Sequence, residues 1–304
     1  MIELLASSLR LSTPLLFAAM GGLLCERAGV ATICLEGVMI AGAWAAASVT
    51  FYTSDPYMGL AAGLAAGTVA MGLHALLTIT ARADAIVSGV AVNMITAGVT
   101  PVLSKTFFGT SSNTPSLAMS DRFLPVSIPG LSSLPEIGSL FSQPWLIYLG
   151  LVLPLFVHYY LYQTGRGLRV LASGDNPEAL RTAGVSPKRV RWTAMLAGGA
   201  LVSLGGVYLS VAHASQFTRD MTAGRGFIAL TAVIFGKWRP IPTFFACLFF
   251  GFFDAWQIRL QSEPLFGWEI PVNFVQSLPY LVALVVLAGF IGHARPPLSI
   301  GKSV

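Results

Sequence analysis

An all-α fold, a polytopic transmembrane bundle of eight to ten spans, is what this sequence predicts, and three observations carry it. Of the 304 residues, 55% are hydrophobic and only 10% charged, at a mean hydropathy of +0.73, where a soluble domain carries about 25% charged residues. The apolar residues are gathered into runs near 4–24, 32–53, 57–80, 85–108, 144–163, 193–212, 223–236, 241–258 and 272–291. Most of these approach the roughly 20 residues that a helix needs to cross a bilayer. The basic residues, finally, fall unevenly among the gaps. With residues 164–192 in the cytoplasm, alternation puts Arg27, Arg82, Arg166, Arg169, Arg181, Lys188, Arg189, Arg191, Lys237, Arg239, Arg295 and Lys302 inside. Arg10, Lys105, Arg122, Arg219, Arg225 and Arg259 are left outside or near the outer ends. Such a two-to-one bias is the positive-inside pattern. It explains the net charge of +5 by topology and leaves no reason to invoke nucleic acid. The expected setting is a lipid bilayer, with 1–304 as one transmembrane domain and its N-terminus outside unless the first run is two half-spans.

Each element then has its own grounds. The first run, LLASSLRLSTPLLFAAMGGLL, lacks a basic leader and a small-residue cleavage site, so it reads as an uncleaved span. Small residues crowd the spans at 41–48 (AGAWAAAS), 59–72 (GLAAGLAAGTVAMG) and 196–206 (LAGGALVSLGG). In lipid, where hydrophobicity does not drive helices together, close contact through Gly and Ala holds a bundle. Residues 109–143, rich in Ser, Pro and Gly, read as an irregular external loop with at most one short helix. The run 223–236 is short enough to be re-entrant.

Residues 164–192, TGRGLRVLASGDNPEALRTAGVSPKRVRW, form the longest polar run. Asn176-Pro177 reads as a helix N-cap and first position, with Gly184 as a left-handed stop. Ser186-Pro187 repeats the start signal. Two helix starts and a stop between spans predict a docking surface for a cytoplasmic partner, made by Gly174, Asp175, Asn176, Pro177, Glu178, Ala179, Leu180, Ala183 and Gly184.

Polar residues inside spans are the candidates for a solute path. Glu36 lies early in the second span, where an acidic side chain costs about 2.5–3.5 kcal/mol to insert and rarely stands without a partner or water. It is a pathway group, a group bonded to backbone at a helix break, or half of an ion pair with a basic residue such as Arg27 or Arg82. Asn93 and Thr96 share a helical face with Thr100, and Ser88 precedes them in the same span. These groups suit a neutral polar solute, or else they hydrogen-bond between helices. Asn273 and Gln276 add to the same mixture, and no Lys or Arg stands at the centre of a predicted span, which argues against an acidic solute.

Enzymatic chemistry has no visible basis: GxSxG, HExxH and a phosphate loop ending in Lys-Ser/Thr are all missing. His74, His158, His213 and His293 are scattered singly, and Cys25, Cys34 and Cys247 make no CxxC pair, so neither a metal site nor a disulfide is expected. No span carries the repeated carboxylates of an ion-coupled pump. A weak internal echo, AGVATICLEGV (28–38) with AGRGFIALTAV (223–233), hints at an inverted repeat.

Three collinear blocks, ERAGVATICLEGVMIAGAW (26–44), the 164–192 loop and MTAGRGFIALTAVIFGKWRP (221–240), resemble the signatures of ABC importer permeases for nucleosides and simple sugars. Leu168-Arg169 and the NPEA string favour the nucleoside branch over ribose-type and branched-chain amino-acid permeases. Cys34 and Asp175 depart from the usual pattern. The resemblance implies a fold like the vitamin B12 importer permease and a transport subunit that is itself no enzyme and holds no cofactor. It further implies a separate ATPase that binds ATP, a second homologous permease and an extracytoplasmic substrate-binding protein. The 164–192 loop would then supply the coupling helix.

Overall fold

The computed structural model describes residues 2–127, 138–262 and 295–302. The run at 272–291, with Asn273 and Gln276, lies outside the described residues, as does His293. Among the described residues ten α-helices follow in order: α1 (Ile2–Arg27), α2 (Leu35–Thr53), α3 (Pro56–Ala75), α4 (Ala85–Phe108), α5 (Trp145–Gln163), α6 (Gly165–Asp175), α7 (Pro177–Thr182), α8 (Pro187–Val207), α9 (Arg225–Phe235) and α10 (Pro240–Ser262). Wider π turns extend α3 through Leu76–Thr80 and α8 through Tyr208–His213. Seven of these helices are long and apolar enough to cross a membrane, whereas α9 has only 11 residues. The run at 223–236 is thus a half-span.

Helix starts follow local chemistry. Asp55 and Asp84 cap α3 and α4 through their carboxylates, Asp55 with Pro56 at the first helical position. The most apolar stretch of α1 is 89% buried, that of α8 78% and that of α2 67%, against 28% for α4 and α10. Helices α1, α2 and α8 are therefore the core of the bundle, with α3, α4, α5 and α10 around it. Glycine lets the core close up: a Cβ on Gly198 of α8 would stand 2.7 Å from the Gly21 carbonyl oxygen of α1. Helix α4 is turned inside out relative to a soluble helix. Ser88, Thr96, Thr100 and Ser104 are buried, while Ile86, Val87, Met94 and Val102 are exposed, as lipid contact requires.

The 109–143 loop carries more structure than expected. It contains two short 3-10 turns, Met119–Asp121 and Gly138–Leu140, and a small antiparallel pair of β1 (Pro125–Ser127) with β2 (Ser142–Pro144). Thr114 and Leu117 donate N–H groups to the carbonyls of Phe217 and Ser215 at 3.0 and 2.8 Å, so the loop lies over the link between α8 and α9. These bonds span about a hundred positions, and no local signal announces them.

At the opposite end the basic gaps come together. Arg27 donates to the Trp238 carbonyl at 2.7 Å and to the Tyr162 hydroxyl at 3.1 Å. Gly301 donates to the Gly29 carbonyl at 3.2 Å, and the Ser299 N–H to that of Gly174 at 2.8 Å. The ends of α1 and α5, the α9–α10 turn, the α6–α7 loop and residues 295–302 thus share one basic face.

Candidate functional site: an interrupted-helix junction tied to the basic loop

Between α1 and α2 the chain leaves the helix over residues 28–34 and re-enters it within the bundle. Backbone without its own ladder is tolerated at membrane depth only where protein or a water-filled cavity satisfies it. Here protein side chains do so. Ser173 Oγ donates to the Ala28 carbonyl at 3.0 Å, and Asn93 Nδ2 to that of Ile33 at 2.9 Å. The Thr32 N–H donates to Glu26 Oε1 at 3.3 Å. His74 Nε2 lies 2.9 Å from the Ala31 carbonyl and its Nδ1 2.9 Å from Ser88 Oγ. A carbonyl only accepts, so in the neutral ring the proton sits on Nε2, and Nδ1 accepts from the serine hydroxyl.

The start of α2 is capped from another helix. Cys34, at the cap position, makes no side-chain bond; instead Asn93 Oδ1 of α4 accepts from the Gly37 N–H at 2.7 Å. Asn93 lies nine residues into α4, or about 12–13 Å from its end at 1.5 Å per residue. This junction is therefore well inside the bilayer. Glu36, one residue before, turns the other way. Its Oε1 accepts from Thr222 Oγ1 at 2.5 Å and the Gly224 N–H at 2.8 Å, and its Oε2 from the Gly226 N–H at 2.6 Å. These are the free donors at the head of α9, where the helix dipole also favours a carboxylate. Such an approach needs glycine: a Cβ on Gly226 would fall 2.6 Å from Glu36 Cα. Two broken helices thus meet head to head, and the echo between 28–38 and 223–233 marks the two breaks.

Ion pairing of Glu36 with Arg27 or Arg82 does not occur. Arg27 is engaged by Trp238 and Tyr162, and Arg82 lies at the basic face beside Gly29 and Lys302. Main-chain N–H groups do the neutralising. Arg225 stands at the first position of α9, at the end of the half-span and not at its centre. Its guanidinium turns back onto the Met221 carbonyl at 3.1 Å. Thr96 Oγ1 donates to the Val92 carbonyl at 2.9 Å. Glu36, Ser88, Asn93 and Thr96 are accordingly brought to one junction, each bonded to protein.

Sequence reasoning passed over Glu26, His74 and Trp238. Trp238 Nε1 donates to Glu26 Oε2 at 2.6 Å, so the two glutamates flanking the break grip the two ends of the 221–240 block. A second buried carboxylate ten positions before Glu36 was the available signal.

The basic loop joins the same junction. Helix α6, which the sequence reading did not separate, is capped by Thr164 Oγ1 accepting from the Gly167 N–H at 3.0 Å. Its end, Gly174, abuts the Arg27 carbonyl closely. Asn176 Oδ1 accepts from the Ala179 N–H at 3.3 Å and caps α7, and Gly184 takes the left-handed conformation at φ +73°. Asp175, Asn176, Glu178, Ala179, Ala183 and Gly184 are exposed and Pro177 half-buried. Leu180 and Gly174 depart from the expected docking set, because Leu180 is only 5% exposed beneath α7 and Gly174 is buried against the end of α1.

This is the architecture of an integral-membrane permease: a helical bundle with broken helices meeting at depth and a structured loop on one face. The chain belongs to the branched-chain amino acid transport system / permease component family, whose model matches residues 4–291. It is 35% identical to the guanosine ABC transporter permease protein NupQ of Bacillus subtilis, over 95% of this chain and 92% of that protein. It is 33% identical to the nucleoside ABC transporter permease protein NupC of Lactococcus lactis, over 98% and 95%. A permease assigned to a glucose ABC transporter, TsgC13 of Haloferax volcanii, is 32% identical over 94% and 90%. Among solved structures, a metal-chelate type ABC transporter in an inward-facing conformation aligns with TM-score 0.50 at 14% identity, over 94% of this chain and 85% of that one. The fold is therefore that of an ABC transporter permease, and the protein is a multi-pass component of the bacterial cytoplasmic membrane.

Proposed function

We propose that this chain is the permease subunit of an ATP-driven importer, a single membrane domain that carries nucleosides inward while a separate ATPase chain hydrolyses ATP. One observation carries the mechanism: the α6–α7 loop is tied by Ser173 to Ala28, at the foot of the unwound segment whose other end heads α2 and caps α9. A push on the exposed face of α7 would therefore be passed to the paired helix heads. Glu36 joins the two heads, Asn93 ties the α2 head to α4, Ser88 braces His74 against the unwound segment, and Thr96 packs against Gly37. In this reading they position the gate and reach cargo only when it opens. The partners are an ABC ATPase against Glu178, Ala179 and Ala183, a second homologous permease, and an extracytoplasmic binding protein at the face covered by the 109–143 loop. No bound cofactor or metal is required of the chain itself.

The nucleoside cargo is supported by the names of the two relatives given first, and by a junction where Glu36 and Asn93 already cap the helix heads that an acidic solute would recruit. The glucose-assigned relative favours a sugar as the second reading. Uptake of labelled guanosine, uridine, ribose, glucose and leucine by cells with and without the gene separates them. Gene-dependent uptake of nucleosides is the expected result. Dependence confined to a sugar or to leucine refutes the cargo while leaving the permease reading in place.

A further inference from the structure

Outside the junction, a cavity of about 290 Å³ opens on the basic face between the α3–α4 turn, the unwound segment and residues 301–302. Arg82 and Lys302 stand at its exposed edge and Arg191 at its wall. Arg191 is only 3% exposed. Its two terminal nitrogens donate to the Lys302 carbonyl at 2.7 Å and the Ser299 hydroxyl at 3.1 Å, but its Nε, equally buried, has no hydrogen-bond partner among the described residues. A buried guanidinium N–H without an acceptor is a costly vacancy. Asp84 is the acidic residue in the lining, and its Oδ1 already accepts from the Ile86 and Val87 N–H groups at 2.9 and 3.0 Å. The cavity is thus a cationic recess with an unfilled donor, and neither the junction nor the α7 docking face uses it.

We propose that this recess binds a phosphate-bearing anion, supplied by the headgroup of an anionic phospholipid in the adjoining leaflet. Phosphate presents several acceptor oxygens to guanidinium and ammonium donors, and basic pockets between spans at the cytoplasmic face suit such headgroups. The lipid source is favoured over a soluble phosphate by what flanks the recess. Leu76, Ile86 and Val87, at the adjoining ends of the π turn and α4, are 47%, 58% and 68% exposed, an apolar surface on which acyl chains can lie. The inference rests on the chain spanning a membrane and not on its cargo.

The test uses the full chain purified in detergent and stripped of lipid. Binding of phosphatidylglycerol, and of diacylglycerol as a phosphate-free control, is measured by native mass spectrometry. The variant is Arg82→Gln with Lys302→Gln, both exposed side chains, which leaves the Lys302 carbonyl on Arg191. A charge-matched control carries Arg166→Gln with Arg169→Gln on α6. Two cations near a membrane surface contribute enough that phosphatidylglycerol affinity should fall about thirty-fold in the first variant and hold in the second. A parallel thermal-shift titration with inorganic phosphate reads the soluble source. Stabilisation by phosphate without lipid binding, lost in the Arg82/Lys302 variant, keeps the phosphate site and reassigns its occupant. Binding of neither, or equal loss in both variants, overturns the proposal.

Discussion

Replacing Glu36 tests the junction most directly. Its carboxylate accepts from two backbone N–H groups and one hydroxyl at 2.5–2.8 Å, and the side chain is only 9% exposed. In Glu36→Ala the Gly224 and Gly226 N–H groups lose their acceptor inside the bundle. At about 1–3 kcal/mol for each buried donor left unpaired, the loss is about 2–6 kcal/mol, and the favourable charge at the α9 head adds up to about 2 kcal/mol. Glu36→Gln keeps one acceptor oxygen but turns an NH2 toward the other N–H, so roughly half that loss is expected. Unfolding equilibria in mixed micelles should therefore order the proteins as wild type, then Gln, then Ala, with uptake falling in the same order. Wild-type stability in both variants, together with a raised KM for cargo, would refute the capping role and make Glu36 a cargo contact.

Further outcomes follow from neighbouring contacts. Asn93→Leu removes the acceptor for Gly37 and the donor for Ile33 and should destabilise by about 1–3 kcal/mol per orphaned group; Asn93→Asp, which keeps the acceptor, should lose less in the same unfolding assay. Ala179→Asp with Ala183→Asp, on the exposed face of α7, should abolish co-purification of the ATPase and leave membrane insertion normal. Retained association would place docking elsewhere. Gly174→Ala puts a methyl against the Arg27 carbonyl, so it should reduce uptake while ATPase association persists; unchanged uptake would show that the tie between loop and junction does not carry force. In a background free of Cys25, Cys34 and Cys247, a cysteine at Ala183 should react with a water-soluble thiol reagent, and one at buried Thr96 should stay inert in the resting state.

The membrane class, the long spans among the described residues and the boundaries of α7 were legible in the sequence, because each rests on local physics. A run of apolar residues partitions into lipid whatever its neighbours do. Asn176 and Gly184 act on backbone within a turn of themselves, and the charge bias depends only on alternation. The three blocks that resemble the permease signatures also held Glu26, Glu36 and the head of α9, whereas His74, Ser88, Asn93 and Thr96 lie outside them. Their wiring was a different matter. Which groups Glu36 caps and why Asn93 stands where it does on α4 depend on partners 56 to 190 positions away along the chain. A carboxylate in a span announces only that something must satisfy it. Whether that is an arginine, water or the head of a broken helix is decided by which backbone donors the tertiary packing brings within 3 Å, and here glycine at 226 lets α9 come that close.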